Sequence, residues 1–504
     1  MNIPFKNYLL SWVMKKRIHQ IYNFKENPIK TQNGVLEYLL EKGKSSLFGV
    51  NHNFHEIRSY SEFTQKVKIR TYEDIFPYIE KIRSGERDIL WPGKVDWFAK
   101  SSGTTNDKSK YIPVSKESLI NCHFKGGKDM LSLYSDNFPE SEIYNGKGLM
   151  MGGSLDFTNQ NYTDGDLSAI LLDNFPFWVN MHRIPDIETA LMKDWESKLQ
   201  KMTSQALKSD VTNITGIPSW MLVLFKNMLD KSGAKNISEI WPNLELYMHG
   251  GVNFEPFKKQ FETLIPTNKM NYLEAYNASE GFFGIQDQKH SKDLLLMLDY
   301  GIFYEFIPLS EYNNGKREAI TLDRIKIGVV YVLIISTNAG LWRYVIGDTI
   351  RFTSDNPFRI KIVGRTKSFL NSVGEELMVE NTDEALKNCL ESDNCSIKDY
   401  IVTSVHDENG KVFHHWIIEF VKEPKNKDNF MSCLDKNLRL INSDYDSKRS
   451  KNLLLQTPQL TIANKDLFYK WLEKNNRIGG QFKIPRLDST SRIFNDIIKM
   501  NITY

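Results

Sequence analysis

Apolar positions in the first ninety residues recur at helical spacing. In 34–49, Val35, Leu36, Leu39 and Leu40 form one face before a glycine-containing stop, and in 71–85 Thr71 stands as a cap, Glu73 and Asp74 sit early and Gly85 ends the run. The N-terminal stretch places Leu9, Leu10, Trp12 and Val13 on one side of a first amphipathic helix. The texture changes at 95–115, where a short apolar stretch meets a Ser, Gly and Thr cluster and reads as strand, loop, strand, before a helix over 116–135. Further on, 148–155 reads as a strand entering a glycine turn and 188–207 as one helix. A turn at Gly216–Pro218 leads into an apolar helix ending near 230. The segments 243–251 and 270–286 read as one strand each, and 300–309 and 327–338 as strands rich in β-branched and aromatic residues. Segment 400–421 is a hairpin through Asn409-Gly410, and 465–475 is a short amphipathic helix.

Helices alternating with such strands predict an α/β protein, with ligands held off the strand ends. The texture shifts again after Arg365. The expected division is a large domain of 1–365, with β-sheets and flanking helices, and a small α/β domain of 366–504. The chain's 504 residues exceed what one core usually serves, which agrees with that division. No internal repeat is visible.

Composition narrows the function by exclusion. Lys and Arg total 65 against 62 Asp and Glu, a net charge of +3, and no dense basic tract with interleaved aromatics stands out, so no nucleic-acid partner is expected. No stretch approaches 18 uncharged apolar residues, so no membrane span is expected, and the N-terminus is a poor secretory signal. The four cysteines, Cys122, Cys389, Cys395 and Cys433, include no close pair in sequence and suit a thiol-bearing cytoplasmic protein.

Four segments carry candidate chemistry. Ser101-Ser102-Gly103-Thr104-Thr105 offers hydroxyls and backbone N–H groups around one glycine; it reads either as a polar turn or as a phosphate cradle with Lys108 and Lys110 behind it, and it is not a Walker A sequence. In Tyr276-Asn277-Ala278-Ser279-Glu280-Gly281 the tyrosine can stack on a base, Ser279 can meet phosphate and Glu280 can bind Mg²⁺, or the whole is a strand-end turn. Asp348, in 342–348 after a strand, can accept from both ribose hydroxyls or cap its own turn. Lys483, in the glycine-led 479–486, can neutralise charge on a transferring phosphoryl group or be a solvated surface lysine.

In this order the segments resemble the GH3 family of acyl-acid amido synthetases, a branch of the adenylate-forming enzymes, with the look of a bacterial-type member. HGGVNFEPF (249–257), GRTKSFLNSVGEEL (364–377), NSDYDSKR (442–449) and GGQFKIPRL (479–487) extend the likeness over nearly the whole chain. The resemblance implies a large adenylate-forming domain and a small mobile C-terminal one. It implies that Ser101, Ser102, Gly103, Thr104 and Thr105 hold the ATP phosphates, with Thr105 among the catalytic groups. Tyr276 would pack on adenine beside Ala278 and Ser279, Glu280 would meet Mg²⁺, and Asp348 would hold the ribose. Arg365 would reach ribose or phosphate, and Lys483 would assist adenylation.

Two departures stand out: Asn106-Asp107 follows the phosphate loop where the family has Ser-Gly, and Tyr344-Val345-Ile346-Gly347-Asp348 lacks the arginine after the tyrosine. Met151, Phe175, Trp178, Ile217, Met221, Leu222, Phe254 and Phe282 are the expected acyl-pocket linings, with His249 near substrate. The implied reaction joins a small carboxylic acid to an amino acid through an acyl-adenylate, in a cytoplasmic monomer or weak homodimer. An acyl-CoA ligase or a decayed nucleotide-binding relative are the alternatives.

Overall fold

The computed structural model describes residues 17–503 apart from 102–109, 158, 160, 252, 253, 290, 367, 368, 371, 374, 376, 407–411, 450–454 and 476–482. The expected first helix, Ser102–Thr105 with Asn106, Asp107 and Lys108, the Asn409-Gly410 turn and Gly479–Phe482 therefore lie outside the described residues.

Strands β1 (Trp97–Ser101), β2 (Lys110–Val114), β4 (Leu155–Asp156) and β5 (Thr163–Gly165) make a four-stranded sheet in the order β2-β1-β5-β4. The main sheet has eleven strands. Its first half is β3 (Lys147–Met150), β6 (Arg183–Ile184), β7 (Val211–Thr215), β8 (Leu246–Gly250) and β9 (Asn271–Ala278), adjacent in the order β9-β8-β7-β3-β6 and all parallel. Parallel neighbours need crossovers, and the helices Trp195–Ala206, Pro218–Ser232 and Glu255–Leu264 provide them. Leu199, Met202, Leu224, Phe225, Phe257 and Phe261 close the apolar cluster between those helices and the strands.

The second half is antiparallel: β10 (Gly281–Ile285), β11 (Leu294–Leu296), β12 (Ile302–Pro308), β13 (Val330–Thr337), β14 (Tyr344–Asp355) and β15 (Phe358–Arg365) continue the order as β10-β11-β15-β14-β13-β12. The switch between halves falls at β9, where the chain reverses through Ser279-Glu280 into β10. The carboxyl ends of parallel strands at such a switch are where open α/β sheets bind ligands. After β15 the chain adds a two-stranded piece, β16 (Phe369–Leu370) and β17 (Leu377–Met378). It then forms the sheet β18 (Ser396–His406), β19 (Val412–Lys422) and β20 (Gln459–Ile462), with its own apolar clusters. The architecture is the expected α/β one, a large N-terminal part with a smaller C-terminal α/β part.

Four local expectations need correction. Segment 188–207 is two helices, Ile187–Ala190 and Trp195–Ala206, because Asp194 caps a new start by accepting from Ser197 N at 2.9 Å. Segment 270–286 is a two-strand hairpin rather than one strand, since both flanks of Ser279-Glu280 are apolar enough to bury. Asp348 sits inside the twelve-residue strand β14, not in a turn after a strand. The helix expected over 116–135 starts under Ser115 as a cap and passes through a π-helical stretch, Leu119–Phe124, before Lys125–Asn137. Within that stretch the Cys122 thiol accepts from Phe282 N, and Gly126 leaves the space that the Phe282 ring fills.

Candidate active site

A cleft of about 1630 Å³ opens at the ends of β8 and β9 and is closed on its far side by the C-terminal elements. Ser101, Tyr276, Ala278, Ser279, Glu280, Asp348, Arg365 and Lys483 all line it. Each comes from a different constraint. Tyr276 and Ala278 are the last residues of β9, and Ser279-Glu280 is the reversal that begins β10. Ser101 ends β1, paired with Lys110 at the start of β2, so this end of the strand pair reaches the cleft.

Asp348 depends on curvature. Three strands lie between β14 and β9 in the sheet order, a span of roughly 19 Å if the sheet were flat. Yet the Tyr276 hydroxyl donates to Asp348 Oδ2 at 2.6 Å, so the sheet is curled and closes the site. Gly347, at φ +93°, sits just before a register shift in the β14–β15 pairing and aims Asp348 inward. Asp348 pairs in register with Arg365, whose Nε donates to Oδ1 at 2.8 Å. Thr366 N then donates to the Gly347 carbonyl at 2.8 Å, tying the strand's exit to the same turn. Both Asp348 oxygens thus hold a donor, which fixes the carboxylate while leaving lone pairs for hydroxyls.

Glu280 is buried, with 8% of its surface exposed. Desolvation first and the Asp348 carboxylate second raise its pKa to about 7, against the pull of Lys110 and Arg365. Tyr276 is buried too, and its phenol is pushed well above the usual range by burial and by Asp348. Its ring meets Phe283 at 4.8 Å between centroids. Lys483 enters from the C-terminal side, and its Nζ donates to the Gly251 carbonyl at 2.5 Å. The side chain keeps contact with water, but the crowded cleft and the Arg365 cation lower its pKa to about 8, with Asp348 opposing. A lysine at that value loses its proton readily to a neighbour or to a solvent base.

The acyl-pocket candidates divide. Phe254 lines the cleft and stacks on His249 at 4.3 Å. Met151 and Met221 close around Gly216, whose missing side chain would meet Met221 at 3.2 Å and Met151 at 3.4 Å. Met151 and Gly216 sit one step beyond the row Met150–Thr215–Met248, at the carboxyl edge of the parallel strands, and Met221 comes from the helix that follows. Phe282 points away, into the core against Tyr300 and Gly126. Phe175 meets Phe124 at 5.3 Å, Ile217 and Leu222 are half-buried against the crossover cluster, and the Trp178 side chain lies outside what the structure describes.

Arg343, beside the departure in 344–348, is not in the cleft. It is held by Glu305 at 2.8–3.1 Å and by the Val67 carbonyl at 2.7 Å, all buried. Sequence reasoning missed the roles of Gly347 and Gly251, which become visible only once the sheet is curled; the glycine pair before Val252 was the signal available.

Among the described residues no cluster of three His, Cys, Asp or Glu side chains could hold a metal. The Glu280 carboxyl suits Mg²⁺ without such a cluster, because Mg²⁺ is commonly bound by one or two carboxylates plus the substrate's phosphates rather than by a dedicated protein cage.

Comparison with known families identifies the class of protein to which this cleft belongs. The GH3 family N-terminal domain matches residues 17–270, the GH3 family central domain 295–365 and the GH3 family C-terminal domain 380–492; the chain belongs to the GH3 family. Within that family it is similar to the jasmonoyl–L-amino acid synthetase JAR6 of Nicotiana attenuata, 24% identical over 91% of this chain and 89% of the relative. Among solved structures it is similar to AtGH3.15 acyl acid amido synthetase in complex with 2,4-DB, with a TM-score of 0.79 at 17% identity over 97% of this chain and 96% of that one. A 2-hydroxyisobutyryl-CoA ligase bound to its acyl-adenylate shares the fold at a TM-score of 0.60 and 10% identity, over 94% and 92% of the two chains. The chain is a ligase of the acyl acid amido synthetase class.

Proposed function

We propose that this cleft activates a small carboxylic acid with ATP and passes the acyl group to the amine of an amino acid. A carboxylate oxygen attacks the α-phosphorus, and pyrophosphate leaves. The amine nitrogen then attacks the acyl carbon, AMP leaves with the C–O electron pair, and the nitrogen gives up a proton. No nucleophile of the enzyme is needed. The observation that carries the reading is the convergence on one cleft of Tyr276, Glu280, Asp348 and Arg365 from the main sheet and of Lys483 from the opposite side.

In this reading Asp348, fixed by Tyr276 and Arg365, accepts the ribose hydroxyls, and the Tyr276 ring borders the adenine. Ser101, Ser102, Gly103, Thr104 and Thr105 supply hydroxyl and N–H donors to the phosphates. Mg²⁺, held by Glu280 together with phosphate oxygens, would offset the charge of the leaving pyrophosphate. Glu280 must ionise to do this, which its raised pKa opposes until a cation arrives. Lys483, as the ammonium, faces the charge developing on the α-phosphoryl oxygens. The large domain spans 1–365 and the small one 366–504, and the small domain turns about the Arg365–Thr366 junction between the two half-reactions. The cytoplasm and a monomeric or weakly dimeric state are the expected setting. Among the described residues no helix is long and apolar enough to cross a membrane, and all four cysteines are free thiols.

The relatives named above act on unlike acids, so the acid is left to experiment. The test is carboxylate-dependent exchange of labelled pyrophosphate into ATP with Mg²⁺ and no amine. The panel would hold benzoate, indole-3-acetate, jasmonate and straight-chain acids. Exchange with one class, followed by amide formation with amino acids and no thioester with CoA, is the expected result. Protein that binds ATP but exchanges with none of these acids would count against the reading.

A further inference from the structure

Lys483 must hold its ammonium at one point of the cleft, yet it has a long flexible stem, so its placement draws on the residues that follow it. Those residues are bound tightly. Ile484 is buried with Ile401, Ile417 and Trp471, and Leu487 is buried with Tyr400 and Val402. Between them Arg486 is fixed three ways. Its carbonyl accepts from Val402 N at 2.9 Å, its guanidinium donates to Asp399, and the same guanidinium lies over the Tyr400 ring at 4.4 Å. Asp488 N returns a bond to the Val402 carbonyl at 2.9 Å, so the segment runs as a short added strand on β18.

Tyr400 and Asp399 are themselves set. The Tyr400 hydroxyl donates to Asp383 at 2.6 Å, on the helix Val379–Asp393 that borders the cleft. Two residues earlier on β18, the Ile397 carbonyl accepts from Gln260 at 2.7 Å. Gln260 lies on the helix Glu255–Leu264, just after the Gly251 that receives Lys483. Three contacts, Lys483 with the Gly251 carbonyl, Arg486 with Asp399 and Gln260 with the Ile397 carbonyl, therefore tie these segments to one another.

We propose that Arg486, through its ion pair with Asp399 and its seat on Tyr400, is the positioning residue that holds Lys483 for adenylation. The guanidinium suits this because its plane can stack and donate at once, which an ammonium cannot do. The inference rests on the reading of Lys483 given above. A displacement of about 1 Å at a reacting group can lower a rate by roughly 10²-fold, so the effect expected is in turnover rather than binding.

The test uses the intact enzyme and the acid of fastest exchange from the panel above. Arg486→Ala and Asp399→Asn should each lower the kcat of pyrophosphate exchange by about 10- to 100-fold. The KM for ATP and the rate at which supplied acyl-adenylate is aminolysed should stay near their original values. Arg486→Lys should recover part of the loss. Adding Arg486→Ala to Lys483→Ala should cost nothing further, since both act at one point. Asp399→Asn keeps the side chain's shape, so it decides the matter if Arg486→Ala fails to fold. A raised KM for ATP with kcat intact would make Arg486 a nucleotide contact and overturn the proposal, as would a double variant that multiplies the two losses. Full exchange in Lys483→Ala would instead remove the reading on which the proposal stands, a result separate from a loss in Lys483→Ala with none in Arg486→Ala.

Discussion

Glu280 illustrates the conflict between stability and function at a single residue. Its pKa of about 7 lies above the ordinary value of 4.5, because burial and Asp348 both disfavour the charge. Between these two values the folded state binds more protons than the unfolded one, so this group's contribution to stability falls as pH rises from 4.5 to 7. At pH 8 the ionised carboxylate costs on the order of 3 kcal/mol relative to the same protein at pH 4.5. Glu280→Gln should therefore stabilise the protein without nucleotide at pH 8 by about 1–3 kcal/mol and do little at pH 4.5. It should also lower pyrophosphate exchange by about 10²-fold or more. Urea unfolding at the two pH values checks the first point, and equal effects at both would refute the charge argument. Asp348→Asn tests a different balance. The amide can still accept from Tyr276, but it loses its charge-assisted bond to Arg365 and a strong acceptor for the ribose, worth about 1.5–3 kcal/mol. The KM for ATP should rise by about 10- to 100-fold, measured by exchange at saturating acid, with the KM for the acid little changed.

The turns that aim these groups belong to elements, and here the sequence was only partly legible. The Ser/Thr-rich segment and the strands of 300–309 and 327–338 announce themselves through small residues and β-branched runs, which are local signals. Curl is not local. Nothing within 342–348 says that three intervening strands will bend until Tyr276 reaches Asp348, and the register shift between Thr349 and Ile350 arises from how β14 pairs with β15. For the same reason Phe282 was placed in the acyl pocket when Gly126, over 150 positions away, draws it into the core. Gly251 offers a clean test at this scale. It holds φ +79°, and a Cβ there would stand 2.6 Å from Lys483 Nζ. Gly233, which ends the helix Pro218–Ser232 at φ +72°, has nothing within 4 Å of a Cβ. Alanine at either site costs about 1–2 kcal/mol of backbone strain. Only Gly251→Ala should also lower exchange, by about tenfold or more, because only there does the new methyl displace the lysine. Equal exchange in the two variants would show that Lys483 does not act from the Gly251 carbonyl.

At the scale of the molecule, the proposed turning of the small domain makes a quantitative claim about the contacts between the two parts. In the structure Gln260 donates to the Ile397 carbonyl at 2.7 Å, Lys259 to Asn394 at 2.7 Å, and Arg351 pairs with Glu380 at 3.1 Å. Trp220 meets Tyr469 edge-on at 6.4 Å. These accompany the Lys483–Gly251 bond, so they belong to the arrangement that presents the lysine, which is the adenylating one in the proposed reading. A hydrogen bond of this kind contributes about 1 kcal/mol, or roughly a fivefold bias in a two-state equilibrium. Gln260→Ala should thus shift the population away from this arrangement by about fivefold, without touching any group placed at the nucleotide. Where this arrangement is the minor one, pyrophosphate exchange should slow by up to that factor. Aminolysis of supplied acyl-adenylate needs the other arrangement, so it should hold steady or quicken. Gln260→Ala with Arg351→Ala should deepen the split in the same direction, since the two contacts share no partner. Both half-reactions slowing together would mean that these contacts only hold the fold, and the two-orientation account of this enzyme would have to be abandoned.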